Sequence, residues 1–399
     1  MENDADLWYD SGRQQPGRAV MAKVEWEQMV ARQTCNDAGY LAVIKWKGRR
    51  TRVTQRIYWV PHTVCFLGCA HCHNDSYRSG QRTTRALIDR VMAHLPGSAS
   101  PYRLEDVLIG GGEALMRGVE TEYLIRALRE RFPRGTQRTV VERRAAGNVI
   151  LALQSTGLPL ADRHGNVRKD QVDYWLDLGV DYFQVASSDA FHRRAKPEYP
   201  WGTLERNLEV FGVDHDVEFL IYGKGVTKLV PSGRVLANLE RLEAEGAGLL
   251  TAEGYCADGW ETASHFLSGT ELAYPQCSEV VIDPDGWVHS CCWYELSPGL
   301  FDLQTVDFAT GMDRLRSVPF CQALDRGDIL RLAEMAQVSP GLARQVRDRV
   351  GDCGSCRLFS NLLARQPEHD WVRVHPLSVQ ELALYGRRLG RDMIEQLLI

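Results

Sequence analysis

Much that would assign this chain quickly is missing from it. Its first residues, MENDADLWYD, are acidic and polar where a secretory signal would be basic and then apolar, so that route of export is not expected. No run of about 18 apolar residues occurs, which excludes a membrane-spanning helix. Basic residues form no block, and 47 Lys and Arg against 52 Asp and Glu leave a net charge of −5, so no nucleic-acid partner is expected. Low-complexity linkers are also lacking. With 44% hydrophobic and 25% charged residues the composition is that of a folded globular protein, not a collagen-like, coiled-coil or disordered one. The expected location is cytoplasmic, with no membrane association.

Against these absences stand eleven cysteines. An odd number in a chain without a secretion signal argues against a disulfide framework and for metal binding. They also cluster, as Cys65/Cys69/Cys72, Cys291/Cys292 and Cys353/Cys356, whereas inert core thiols would be dispersed.

From residue 56 short apolar runs alternate with amphipathic stretches, the pattern of β-α units on a parallel sheet. The runs are 56–60, 106–110, 148–153, 182–186, 217–222 and 248–252. Thr83 is placed to cap a helix with Leu87, Val91, Met92 and Leu95 on one face. Helical patterns also cover 120–132, 167–178 closed by Gly179, and 231–245 closed by Gly246. Six units fall short of the eight of a closed barrel, so the expected α/β fold is a partial (β/α)6 barrel, with a doubly wound sheet as the alternative. The expected divisions are an N-terminal extension (1–50), the barrel (51–264), a cysteine-rich C-terminal domain (265–360) and a helical tail (361–399). In that tail Ser378 and Glu381 form a capping-box pattern.

Cys65, Cys69 and Cys72 directly follow the first predicted strand in the spacing CxxxCxxC, with Gly68 permitting a tight turn. Structural zinc wants four ligands, whereas three thiolates can hold three irons of a 4Fe–4S cube and leave the fourth open. The combination resembles the radical S-adenosylmethionine superfamily. That resemblance implies that the open iron binds S-adenosylmethionine and that reductive cleavage yields a 5′-deoxyadenosyl radical, which abstracts a substrate hydrogen. Before the third cysteine the family usually carries an aromatic residue; His71 stands there and is expected to stack on adenine. His62 and His73 match no pattern and are expected to be solvated.

Gly110-Gly111-Gly112-Glu113 at the end of the second strand resembles the family's GGE motif, whose backbone and carboxylate meet the methionine amino group. Glycine is expected there because a backbone without Cβ can approach the cofactor closely. No GK[ST] follows, so a phosphate loop is not indicated. Ser187, Ser188 and Asp189 end the fourth strand, resembling a cofactor- or substrate-contacting segment; a plain helix cap is the competing reading.

Cys277, Gly286-x4-Cys291 and Cys353-x2-Cys356 resemble the twitch domain, the shorter relative of the SPASM domain, and would ligate one auxiliary 4Fe–4S cluster. DPDG (283–286) reads as a hairpin turn between Cys277 and Cys291. The same four thiolates also suit structural zinc. Cys256, after the sixth strand, is a candidate hydrogen donor to a substrate radical; Cys292 and Cys321 read as small core residues. Twitch-bearing relatives include an aminocyclitol dehydrogenase of antibiotic biosynthesis. The expected reaction is therefore dehydrogenation of a sugar or aminocyclitol alcohol, with epimerisation through Cys256, peptide maturation and a non-catalytic zinc scaffold as alternatives. Peptide-modifying relatives often carry a recognition domain longer than the 50 residues ahead of the expected barrel. Lys224, Glu253 and Asp189 are candidate substrate contacts at the strand ends, and a flavodoxin or ferredoxin the expected electron donor.

Overall fold

The computed structural model describes residues 53–72, 74–97, 100–116, 118–186, 190–221, 228–229, 234–249, 279–289, 299–320, 323, 328–367, 373–374 and 376–398. β1 (Val53–His62), β2 (Tyr102–Gly111), β3 (Ile150–Ser155), β4 (Tyr182–Val185) and β5 (Glu218–Ile221) lie side by side in chain order. The pairings from β2 to β5 are parallel. Ile57, Tyr58, Trp59 and Val60 are all buried, as a parallel strand covered on both faces requires.

Between the strands run α1 (Arg85–His94), α2 (Val119–Arg131), α3 (Val140–Ala145), α4 (Lys169–Leu178), α5 (Ala190–Ala195) and α6 (Trp201–His215). From β1 to β5 the order does not reverse, so no topological switch point falls among these five strands. The cap of α1 is Thr84, whose hydroxyl accepts from Leu87 N at 3.1 Å; Thr83, the expected cap, is buried just outside the helix. α4 ends at Gly179 with φ +111°, the left-handed closure its sequence predicts.

Two expectations fail beyond β5. The stretch 231–245 is not one helix: α7 (Arg234–Ala237) and α8 (Leu239–Ala244) break at Asn238, whose amide side chain turns back to the Arg234 carbonyl at 2.8 Å. Nor does Gly248–Leu249, the described part of the run 248–252, enter the main sheet as its sixth strand. β6 (Lys228–Leu229), which periodicity does not reveal, takes the pairing with β7 (Gly248–Leu249) in a separate two-stranded ladder.

The main sheet instead gains strands on the other side of β1. β8 (Glu279–Ile282) pairs parallel to β1, with Tyr58 opposite Val281. β9 (Trp287–His289) folds back on β8, and β10 (Gly299–Asp302) follows as the antiparallel edge. The turn between β8 and β9 is DPDG, with Gly286 at φ +88° and the Asp283 carboxylate accepting from Asp285 N and Trp287 N at 2.9 Å each. The expected hairpin thus exists, built onto the same sheet that carries the first cysteine cluster.

Beyond β10 the described elements are helices: α9 (Phe308–Ser317), α10 (Ile329–Met335), α11 (Pro340–Leu363), α12 (Val379–Leu389) and α13 (Arg391–Leu398). Gly351, at φ +73°, kinks α11 just before Cys353 and Cys356, which sit one turn apart on it. α12 begins with the expected reciprocal cap: Glu381 N donates to the Ser378 hydroxyl at 3.1 Å, and Ser378 N to the Glu381 carboxylate at 2.7 Å. It also braces the cysteine turn of α11. Arg357 Nε donates to Glu381 at 2.8 Å with both side chains buried, and the Tyr385 hydroxyl donates to the Gly354 carbonyl at 3.0 Å.

Removing one member of a buried pair strands the other charge and costs about 3–5 kcal/mol. Glu381→Ala is therefore expected to lose about that much in urea unfolding; a loss below about 1 kcal/mol would mean the pair is not shielded from water.

Candidate functional site

The chain leaves β1 at His62 and enters the cysteine loop at Cys65. Its base is closed by Cys65 N donating to the Tyr77 carbonyl at 2.8 Å, Tyr77 N to Thr63 O at 3.1 Å and Thr63 N to Gln81 O at 2.9 Å. The glycine loop at the end of β2 is laced to this segment. Gly112 N donates to His62 O at 3.0 Å and Glu113 N to Val64 O at 2.9 Å. In return the Asn74 amide and Ser76 hydroxyl donate to Gly111 O at 2.8 and 3.2 Å. Asn74 and Ser76 were missed in the sequence, where nothing separates them from ordinary loop residues.

This lacing explains the glycines differently from the sequence reading. A Cβ on Gly110 would come within 2.5 Å of the Tyr58 ring, and one on Gly111 (φ +108°) within 2.7 Å of His62 O. On Gly112 it would meet Val64 O at 2.1 Å. The close approach that demands glycine is to the chain's own β1 and cysteine loop.

None of Cys65, Cys69 and Cys72 is in a disulfide; Cys69 is buried and the other two are half-buried. Gly68 takes φ +63° and turns the loop, and Cys72 N donates to Cys69 O at 3.2 Å. Ser76 N donates to the Cys72 sulfur at 3.3 Å. Burial pushes the Cys65 thiol up to about 11, with nearby Glu113 and Cys72 adding to the rise. A thiol so disfavoured as a lone anion is one that a bound metal centre deprotonates. Among the described residues no three His, Cys, Asp or Glu side chains group tightly enough to hold a single metal ion. The donor set, three thiols spread along one turned loop, fits separate irons of a cluster.

Glu113 is fully buried. Its carboxylate accepts from Leu115 N (3.1 Å), Thr156 N (3.1 Å) and the Thr156 hydroxyl (2.6 Å), leaving roughly one lone-pair direction open. Thr156, just past β3, is a third residue the sequence did not reveal.

His71 is also buried, its ring 5.2 Å from that of Phe191 and 4.4 Å from that of His192, both on α5. The cysteine loop and the start of α5 are thus joined through aromatic rings.

His62 is not the solvated histidine expected but 1% exposed. Val64 N donates to its Nδ1 at 3.3 Å, which leaves Nε2–H to donate to the Thr121 hydroxyl at 3.1 Å. Burial, aided by the Arg82 charge, lowers its pKa to about 4.

Ser187, Ser188, Asp189, Lys224, Glu253, Cys256, Cys277, Cys291, Cys292, Cys321 and His73 lie outside the described residues, as does the side chain of Cys353. Cys356 is half-buried on α11. The described strand ends also frame a cavity of about 400 Å³, bordered by Phe66 of the cysteine loop, Met116, Leu158, Gln171, Lys196 and Tyr199.

No family model matches the chain, and no curated protein does. Among solved structures it is similar to native anSMEcpe with bound AdoMet and Cp18Cys peptide, at 14% identity and a TM-score of 0.37 over 86% of this chain and 99% of that one. It is also similar to Streptococcus suis SuiB bound to precursor peptide SuiA, at 14% identity and a TM-score of 0.36 over 78% and 82%. At TM-scores this low the architecture rests on the strand order described above.

Two outcomes follow. Gly112→Ala is expected to disrupt the cysteine loop, because the added carbon meets a backbone carbonyl that is itself hydrogen-bonded; iron uptake after anaerobic reconstitution checks this, and full uptake would contradict it. His62 stays neutral in the native state down to about pH 4, while the unfolded chain protonates it near 6.5. Between those values the unfolded state binds more protons, so stability falls as pH drops through the window. Urea unfolding from pH 7 to 4 should show this limb in the parent and a weaker one in His62→Gln.

Proposed function

We propose that the protein is a radical S-adenosylmethionine enzyme whose cluster is held by Cys65, Cys69 and Cys72, and that it oxidises an alcohol carbon of a sugar or aminocyclitol. The observation that carries the first part is the lacing of a three-thiol loop to a glycine–glutamate loop at one end of a parallel sheet. Bound groups would supply the redox chemistry: a reduced 4Fe–4S cluster the electron that cleaves S-adenosylmethionine, and an auxiliary cluster at Cys277, Cys291, Cys353 and Cys356 an acceptor for the substrate's second electron.

The chain's own groups supply position and selectivity. Glu113, oriented by Thr156, has one acceptor direction left for an ammonium group. The face of the sheet beside Gly110 supports a polar substrate. There the Tyr58 hydroxyl donates to Gln154 at 2.8 Å, Gln154 stands opposite Gln184, and the Gln184 amide donates to the Tyr182 hydroxyl at 3.3 Å. Buried amides and phenols reject ligands that cannot return their hydrogen bonds and favour those bearing hydroxyl or amino groups. Lys224, Glu253 and Asp189 are proposed as further contacts, and Cys256 as the hydrogen donor if the product is an epimer.

Anaerobic reconstitution should give brown protein with about eight irons, and replacing Cys65, Cys69 and Cys72 by Ala should leave about four. Reductive cleavage of S-adenosylmethionine should vanish in that variant; persistence would overturn the assignment, and a colourless zinc protein would indicate a scaffold. Gln184→Leu is expected to lower kcat/KM for product about tenfold or more, a loss of about 1.4 kcal/mol in transition-state binding, while cofactor cleavage continues. A modified peptide rather than a ketosugar as product would overturn the substrate class.

A further inference from the structure

Arg234 opens α7, and its backbone N–H donates to the carbonyl of Cys72 at 3.0 Å. Asn238, at the end of the same turn, reaches Ala70 O at 3.4 Å. Ala70 packs on the cluster of Val235, Leu239 and Leu242, so this turn is fixed against the last half of the cysteine loop. The Arg234 guanidinium lies 4.6 Å over the Tyr77 ring, and Tyr77 O is the group that closes the base of that loop at Cys65. Its Nε and Nη2 are buried, with no hydrogen-bond partner among the described residues. Leaving a charged donor pair buried and unmatched is costly.

We propose that Arg234 is an electrostatic positioning residue for the cluster at Cys65, Cys69 and Cys72, its partly buried guanidinium favouring the reduced state. This rests on the radical S-adenosylmethionine reading and deepens it. Three thiolates give such a cluster a net negative charge, and one electron from an external one-electron donor adds another. A fixed cation beside it offsets that added charge, and low local dielectric strengthens the effect. Tyr77 supplies the flat face that holds the guanidinium in place without neutralising it.

The test is an EPR-monitored redox titration of reconstituted enzyme, following the cluster signal that changes on adding S-adenosylmethionine, with iron counted in each sample. Arg234→Gln is expected to keep its iron and to show at least a tenfold smaller reduced-to-oxidised ratio at a fixed poise, about 59 mV lower in midpoint. Arg234→Lys, which keeps the charge, should stay close to the parent. An iron-loaded Arg234→Gln with the parent's midpoint overturns the proposal, and so does one in which only S-adenosylmethionine affinity changes. If Arg234→Gln loads no iron, Arg234→Lys decides: a parental midpoint supports the charge effect and a tenfold loss overturns it. Parent enzyme with no iron at these cysteines, or no signal change with S-adenosylmethionine, would instead defeat the underlying functional reading.

Discussion

The site depends on two loops lying close enough to exchange main-chain hydrogen bonds. Gly112 and Glu113 donate to His62 and Val64, and Gly111 accepts from Asn74 and Ser76. The carbonyls they share cannot yield to a bulkier side chain without breaking the same bonds. A steric requirement and a hydrogen-bonding one therefore coincide at Gly111 and Gly112, and the position of the cysteine loop is set by β2 as much as by β1. His62 belongs to this joint: with one ring nitrogen accepting from Val64 and the other donating to Thr121, it ties the end of β1 to the first turn of α2.

Charge is distributed unevenly along the sheet. At the starts of β2 to β4, away from the cysteine loop, Asp181 is fully buried yet meets Arg129, Arg134 and Arg143 and accepts from Leu151 N at 2.8 Å. Asp106 is paired there with Arg56 at 3.3 Å and Arg144 at 3.0 Å. These carboxylates are matched by cations and serve to hold strand ends. At the opposite end the described donors to Glu113 are all neutral, with Arg234 beside the loop. One end of the sheet is electrostatically closed and the other retains capacity to meet an incoming charge.

What was legible in the sequence was what period, spacing and caps record locally. β1 to β5 were visible as apolar runs, Gly179 and the Ser378–Glu381 cap as terminators, and DPDG as a hairpin. The sixth strand was misread because a two-residue pairing at Lys228–Leu229 leaves no periodic trace. His62 was misread because burial comes from a partner, Thr121, that is distant in sequence. Thr156, Asn74, Ser76 and Arg234 were missed for the same reason: each matters through one contact across the fold. The glycine motif was found, but its steric reason lay in β1, which no motif encodes.

The brace between α12 and the cysteine turn of α11 bears on biogenesis. Glu381 and Tyr385 are translated after Cys353 and Cys356, and only then can Arg357 and the Gly354 carbonyl find their partners. The Cys65 end of the first loop, by contrast, has its backbone latches complete once Glu113 has emerged from the ribosome, and its Cys72 end gains one with Arg234. Ordering of the two cysteine segments is thereby staggered, the early one settled mostly by nearby chain and the late one waiting on the final helices.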